Sequence, residues 1–176
     1  MPIRRLNHAV LYVRDAERAA AFYVDVLGFR RVPLAEGMRG AVFLQAPAST
    51  NDHDLGLFSI GDAAAPSAAG RATVGLYHLA WEVDTLEELE RVAGVLRDND
   101  ALVGASDHGT TKSLYGKDPD GLEFEIAWIV PADQLDDAAL EARKSIRPLD
   151  LKREQSRYGA DTEGGIGISV SHSSRV

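Results

Sequence analysis

The chain of 176 residues carries five histidines: His8, His53, His78, His108 and His172. Two of them fall at equivalent points of a repeat. Leu6-Asn7-His8-Ala9-Val10-Leu11-Tyr12-Val13 matches Leu76-Tyr77-His78-Leu79-Ala80-Trp81-Glu82-Val83, with Leu, His and Val at the same offsets and a shift of 70 residues. Period-two alternation puts Leu6, His8, Val10 and Tyr12 on one strand face, and Leu76, His78, Ala80 and Glu82 on its counterpart. Packing of the halves about a pseudo-twofold axis brings His8 and His78 together; two satisfied core imidazoles are the alternative. A carboxylate candidate follows Asp118-Pro119-Asp120-Gly121. Pro presets φ, Asp bonds its own backbone and Gly accepts φ > 0, so these four residues form a turn joining two strands. A hairpin about that turn, with one bulged residue, sets Tyr115 opposite Glu125 and Gly116 opposite Phe124, a register that a one-residue slip destroys. Glu123 and Glu125 then share the face opposite Leu122, Phe124 and Ile126, a face turned to a site or to solvent. Two His and one carboxylate are the facial set that holds divalent iron with positions open for substrate and dioxygen. Fe(II) or Mn(II) suits such ligands, and ligand type alone leaves Zn(II) and Ni(II) open.

Composition narrows the function classes. Cysteine is absent. That excludes a disulfide framework, a thiolate metal site and a cysteine nucleophile. Lys plus Arg number 19 against 27 Asp plus Glu, a net charge of −8. An acidic chain without a basic stripe is a poor nucleic-acid binder and has no polybasic anchor for a membrane. No apolar run approaches the roughly 20 residues of a membrane span. Met1-Pro2-Ile3-Arg4-Arg5 lacks the apolar stretch of a signal peptide. A cytoplasmic protein acting on a small molecule or another protein, with neither nucleic acid nor membrane as partner, is the expectation.

The elements that must position these residues repeat with the histidines. Asp15 N-caps a helix with Ala16, Ala19, Phe22, Tyr23, Val26 and Leu27 at helical spacing, and Gly28 stops it. Asp84 starts a second helix, with Glu87 in a capping-box relation and Leu86, Leu89, Val92, Ala93 and Leu96 as its buried stripe. Trp81, opposite His78 on its strand, packs in the core. Strands are expected near 30–34, 40–45 and 54–60, and again near 102–105, 112–116 and 123–130. Each half reads β-α-β-β-β. The modules span about 3–60 and 72–130 of a domain 1–131. They are joined by the Ala-, Gly-, Ser- and Pro-rich linker 61–71. Helical spacing of Leu135, Ala138, Ala139, Ala142 and Ile146 predicts a C-terminal helix over 132–146. The polar, aperiodic stretch 147–176 reads as a mobile tail. Leu55 lies at the repeat offset of Glu125, so the first half lacks the carboxylate, in keeping with one metal site per chain.

This pattern resembles the vicinal oxygen chelate superfamily, which includes glyoxalase I, bleomycin-resistance proteins and type I extradiol dioxygenases. The paired modules, the equivalent His8 and His78, and Glu125 four residues after Gly121 carry the resemblance over about residues 3–130. It implies an α+β fold of two tandem βαβββ modules forming a cupped mixed sheet around a metal, with His8, His78 and Glu125 as ligands. A sharper likeness lies in His108-Gly-Thr-Thr-Lys-Ser-Leu-Tyr-Gly-Lys-Asp-Pro-Asp-Gly-Leu-Glu-Phe-Glu125. It is similar to the extradiol ring-cleavage signature of His, five residues, an aliphatic, Tyr, two residues, Asp-Pro-x-Gly, and Glu after three more. Ser106, two residues before His108, departs from that signature.

The resemblance implies an enzyme with Fe(II), alternatively Mn(II), that opens the ring of a catechol-type substrate with O2. The chain matches the catalytic unit of two-domain relatives. His108 is implied as the acid–base residue and Tyr115 as the hydrogen-bond donor to a substrate oxygen. His53 is a candidate donor behind the ligands, with a surface role as the alternative; His172, in the tail, receives no role. A glyoxalase-type isomerase or lyase, and a non-enzymatic aromatic drug-binding protein, are the competing functions. Small members of this superfamily pair modules across subunits, which implies a homodimer or higher homo-oligomer.

Overall fold

The carboxylate of Asp15 accepts the backbone N–H groups of Glu17 and Arg18 at 2.8 and 3.3 Å. Two of the donors that a helix start leaves unpaired are thereby satisfied. At the other end Gly28 takes φ +74°, and its N–H returns to Tyr23 and Val24 carbonyls. These local signals bound α1 in a chain that runs β1 (Ala9–Val13), α1 (Ala16–Leu27), β2 (Arg30–Val32), β3 (Ala41–Gln45) and β4 (Leu55–Ser59). A second set follows: β5 (His78–Glu82), α2 (Leu86–Asp98), β6 (Leu102–Asp107), β7 (Thr111–Lys117) and β8 (Glu123–Ile129). The computed structural model describes residues 3, 5–34, 37–70 and 72–165. It is an α+β fold built from two βαβββ modules.

Two compact units divide the chain, one of residues 1–68 with 118–122, the other of 69–117 with 123–176. In the first, the strand order is β1-β4-β3-β2. β1 runs parallel to β4, and the other pairs are antiparallel. α1 packs on β3 and β4. Its buried Ala16, Ala19, Ala20, Tyr23 and Val26 meet a core that includes Leu44, Leu55 and Leu57. Each fully buried leucine contributes about 1.5–3 kcal/mol of transfer free energy. The turn residues 118–122 close on this unit. Asp120 accepts from Arg14 N and Arg14 Nη1 at 2.9 and 3.0 Å, and Asp118 accepts from Tyr23 Oη at 3.5 Å.

In the second unit the order is β5-β8-β7-β6, again with its first and last module strands parallel. α2 packs on β6, β7 and β8. Tyr115 lies opposite Glu125 and Gly116 opposite Phe124, as the turn chemistry predicts. The cap of α2 is one residue later than expected. Thr85, not Asp84, accepts from Glu88 N at 3.1 Å, because Thr85 holds the extended φ/ψ that an N-cap needs.

The region after β8 departs further from expectation. No continuous helix covers 132–146. A short 3-10 turn at Ala132–Gln134 ends at Leu135, which is extended, and Asp136 caps a new helix α3 (Asp137–Ala142) by accepting Ala139 N at 2.7 Å. A short polar side chain at 136 competes for the backbone and restarts the helix. The described part of the expected tail is structured. Arg147–Pro148 forms β9, which pairs with β6, and α4 (Leu151–Tyr158), capped by Asp150, packs against α2. Hydrophobic periodicity misses α4 because its buried positions are Glu154 and Tyr158. His172 and the rest of 166–176 lie outside the described residues. No helix among the described residues is long and apolar enough to cross a membrane.

Candidate metal and acid–base site

β8 carries Glu125 through the centre of its sheet, between β5 and β7. His78 opens β5 and reaches along the shared face. Its Nε2 lies 3.0 Å from Glu125 Oε2. Both side chains are largely shielded, at 25% and 14% exposure. Two ligand atoms at about 2.1 Å from one ion and about 90° apart stand about 3.0 Å from each other. The pair therefore has the separation of neighbouring ligands of a divalent cation, with no thiolate in the set. Ser113, two residues before Tyr115 on the same face of β7, donates to Glu125 Oε1 at 2.5 Å. That bond occupies one carboxylate oxygen and leaves the other toward His78, the kind of support that orients a metal ligand.

The candidate acid–base residues stand beside it. His108 lies in the β6–β7 turn, and its Nε2 is 2.9 Å from Tyr115 Oη. The Tyr115 ring in turn stacks at 5.8 Å from the His78 ring. Burial and then the charge of Glu125 push the Tyr115 phenol up, against the opposing hydrogen bond from Ser113. The phenol therefore stays protonated at neutral pH. Such a phenol can donate to or accept from His108 Nε2, according to the imidazole tautomer.

The first module is built differently at the corresponding points. His8 is exposed just before β1, and its Nδ1 lies 2.7 Å from Asn7 Oδ1. Donation to Asn7 frees Nε2, the nitrogen a metal would need. Its ring lies 4.5 Å from the His53 ring, which also contacts Phe43 edge-on. His53 Nδ1 reaches Asp52 Oδ2 at 3.3 Å. Buried Asp54 organises the loop before β4, accepting from Ala46 N, Ser49 Oγ and Asn51 Nδ2. His53 is thus a neighbour of His8. Among the described residues no three His, Asp or Glu side chains are grouped closely enough to hold one ion.

The pairing corrects the repeat alignment. Val10 pairs with Gly56, as Ala80 pairs with Glu125. Gly56, not Leu55, is the counterpart of Glu125. Phe43, opposite Gly56, is likewise the counterpart of Tyr115. A Cβ at Gly56 would lie 3.4–3.5 Å from Phe43, Phe58 and Val10. Apolar side chains thus fill the place where the second module has its carboxylate. Ser113 and Asn7 escape a reading by residue type, although Ser113 was legible from its period-two position beside Tyr115.

Comparison with known proteins identifies the family. The family model described as the glyoxalase/bleomycin resistance protein/dioxygenase superfamily matches residues 5–126. The chain is 34% identical to biphenyl-2,3-diol 1,2-dioxygenase 3 of Rhodococcus globerulus over 123 residues, covering 69% of this chain and 62% of that protein. It is 27% identical to catechol-2,3-dioxygenase of Bacillus subtilis over 121 residues, covering 69% of this chain and 40% of that one. The chain thus spans less than two thirds of the length of either relative. The crystal structure of a glyoxalase/dioxygenase from Nostoc punctiforme shares 25% identity at a TM-score of 0.55, over 70% of this chain and 90% of that one. This chain belongs to the glyoxalase/bleomycin resistance protein/dioxygenase superfamily.

Proposed function

We propose that the protein is a metal-dependent extradiol dioxygenase that opens the ring of a catechol-type substrate with O2. One observation carries the reading: His108 Nε2 meets Tyr115 Oη at 2.9 Å beside the His78–Glu125 pair. The two dioxygenase relatives support the same class. His78 Nε2 and Glu125 Oε2 supply two ligands, His8 is the third by resemblance, and Fe(II) is the ion these donors suit. When bound, the ion supplies a Lewis acid for the catechol oxygens and a redox centre for O2.

The chain's own residues handle the protons. His108 takes a catechol hydroxyl proton and returns it later in the cycle. Tyr115, held protonated by burial and by Glu125, donates to a substrate oxygen and holds the charge that develops there. Ser113 keeps Glu125 turned toward His78. Cleavage breaks the carbon–carbon bond beside the hydroxylated carbons and places both atoms of O2 in the product.

The test is protein purified without oxygen, loaded with Fe(II), and given catechol or 2,3-dihydroxybiphenyl. Oxygen uptake and a yellow ring-opened product are expected. Absence of both over a panel of catechols overturns the reading. We also read the chain as a homo-oligomer. β1 is an edge strand whose Val10 and Tyr12 are 53% and 72% exposed, apolar surface that a second copy can cover. A light-scattering mass of one chain would refute this.

A further inference from the structure

We propose that the buried ion cluster of Asp107, Lys112 and Glu154 is a positioning device for His108, with Lys112 at its hub. The inference rests on the dioxygenase reading for its kinetic consequence and on geometry alone for the positioning itself. Lys112 is 1% exposed, although it is an ammonium on a strand. Its Nζ donates to Asp107 Oδ1 at 2.6 Å and to Gly109 O at 3.0 Å, and it lies 2.8 Å from Glu154 Oε2. The two hydrogen bonds grip the residues on either side of His108. Asp107 Oδ1 also takes the Gly109 N–H at 2.8 Å, closing a ring around the turn. His108 N–H donates to Thr111 O, and Thr110 N–H donates to His108 O.

The cluster draws on the segment that follows the family-matched residues 5–126. Glu154 lies on α4. Arg147 of β9 and Arg153 of α4 reach Asp107 Oδ2 at 3.2 and 3.3 Å. Arg153 also pairs with Glu154 Oε1 at 2.8 Å. The end of α3 seats on the turn itself. Gly109 has φ +77°, and a Cβ there would lie 2.4 Å from Arg143 N and 2.6 Å from Ala139 O. The end of α3 thus leaves the turn no room to move toward it.

Stability alone does not account for an ammonium at 112. Burying charges costs several kcal/mol per ion before pairing, and well-packed apolar side chains of similar volume serve as well or better. A Met at 112 would fill the space. It could not hold Asp107 and Gly109 by directed hydrogen bonds. Lys112 and Glu154 touch neither His108 nor any atom that reacts, so they act through the turn.

Lys112→Met and Glu154→Gln test this in the full chain with two readouts. The first is the nuclear Overhauser contact between the His108 and Tyr115 rings in metal-free protein. It is expected to be present in the parent and lost or strongly weakened in both variants. The second is turnover of a catechol by the Fe(II)-loaded protein. kcat is expected to fall about ten- to a hundredfold, the scale of a misplacement near 1 Å, with KM within twofold and iron content unchanged. Leu57→Ala, which destabilises the other unit, is the control and should lower Tm with kcat unchanged. Should Lys112→Met not fold, Glu154→Gln, which keeps volume and an acceptor, decides. A retained ring contact with kcat within twofold of the parent overturns the proposal. If the parent opens no catechol ring, the dioxygenase reading falls, and the ring contact alone decides the positioning.

Discussion

His108 and Tyr115 form a hydrogen-bonded pair. The phenol stays protonated through burial and the charge of Glu125, and its oxygen faces His108 Nε2 at 2.9 Å. His108→Phe removes the imidazole and is expected to lower kcat by about 10²–10⁴-fold, the range of a general acid–base residue. Iron content per chain, measured by elemental analysis, should remain that of the parent. Retained turnover in this variant would remove His108 from the chemistry. Ser113 acts on the His78–Glu125 pair instead. Ser113→Ala frees Glu125 Oε1 from its hydrogen bond. The expected outcome is a 10–100-fold weaker affinity for Fe(II), read by anaerobic metal titration.

The elements owe their ends and register to short-range chemistry that single substitutions can isolate. Thr85 is the residue that caps α2. Thr85→Ala should cost about 1 kcal/mol in urea unfolding, and Asp84→Ala clearly less. Equal losses would return the cap to Asp84. The β7–β8 hairpin is tighter. A Cβ at Gly116 would lie 2.4 Å from the Phe124 ring directly across the pair. Gly116→Ala is expected to lower stability by about 1–3 kcal/mol through overpacking. A second change, Phe124→Leu, should recover part of that loss. The hairpin was legible beforehand because Asp118-Pro119-Asp120-Gly121 specifies its turn, and a known turn determines which residues face each other. α4 was not legible, because its buried residues are a glutamate that pairs with Lys112 and a tyrosine that stacks on Trp128, both far along the chain.

At the scale of the molecule, two buried carboxyl groups respond to acid in opposite directions. Burial works to raise Asp107, but the hydrogen bonds from Lys112 and Gly109 and the charges of Lys112 and Arg147 outweigh it and hold the group below its ordinary range. Its contribution to stability is complete above the unfolded value of about 3.9 and is lost as pH falls through the lower folded value. Asp118 is raised, chiefly by burial and further by the charge of Asp120, against hydrogen bonds from Leu122 and Asp120 N–H and from Tyr23. Its ionisation opposes folding, so the fold gains from Asp118 as pH falls toward about 3.9. Thermal melts between pH 6 and pH 2 should show a flatter acid decline for Asp107→Asn than for the parent, and a steeper one for Asp118→Asn. The reverse order would contradict both assignments.

The sequence by itself determined the two modules, the caps at Asp15 and Gly28, the hairpin register and the candidates His8, His78, His108, Tyr115 and Glu125. Each follows from period-two alternation, turn chemistry or a repeat, all of which act over a few residues. The tertiary structure alone decided which candidates meet. His78 reaches Glu125 because β5 and β8 are neighbours in a sheet, which no local signal states. Gly56 replaces Leu55 as the counterpart of Glu125 because the repeat offset is 70 residues at the first strand and 69 at the last. That one-residue difference in intervening length reverses a strand face. The burial of Lys112 was equally beyond the sequence, since its counter-charge Glu154 arrives from a helix 42 positions later whose own pattern is polar.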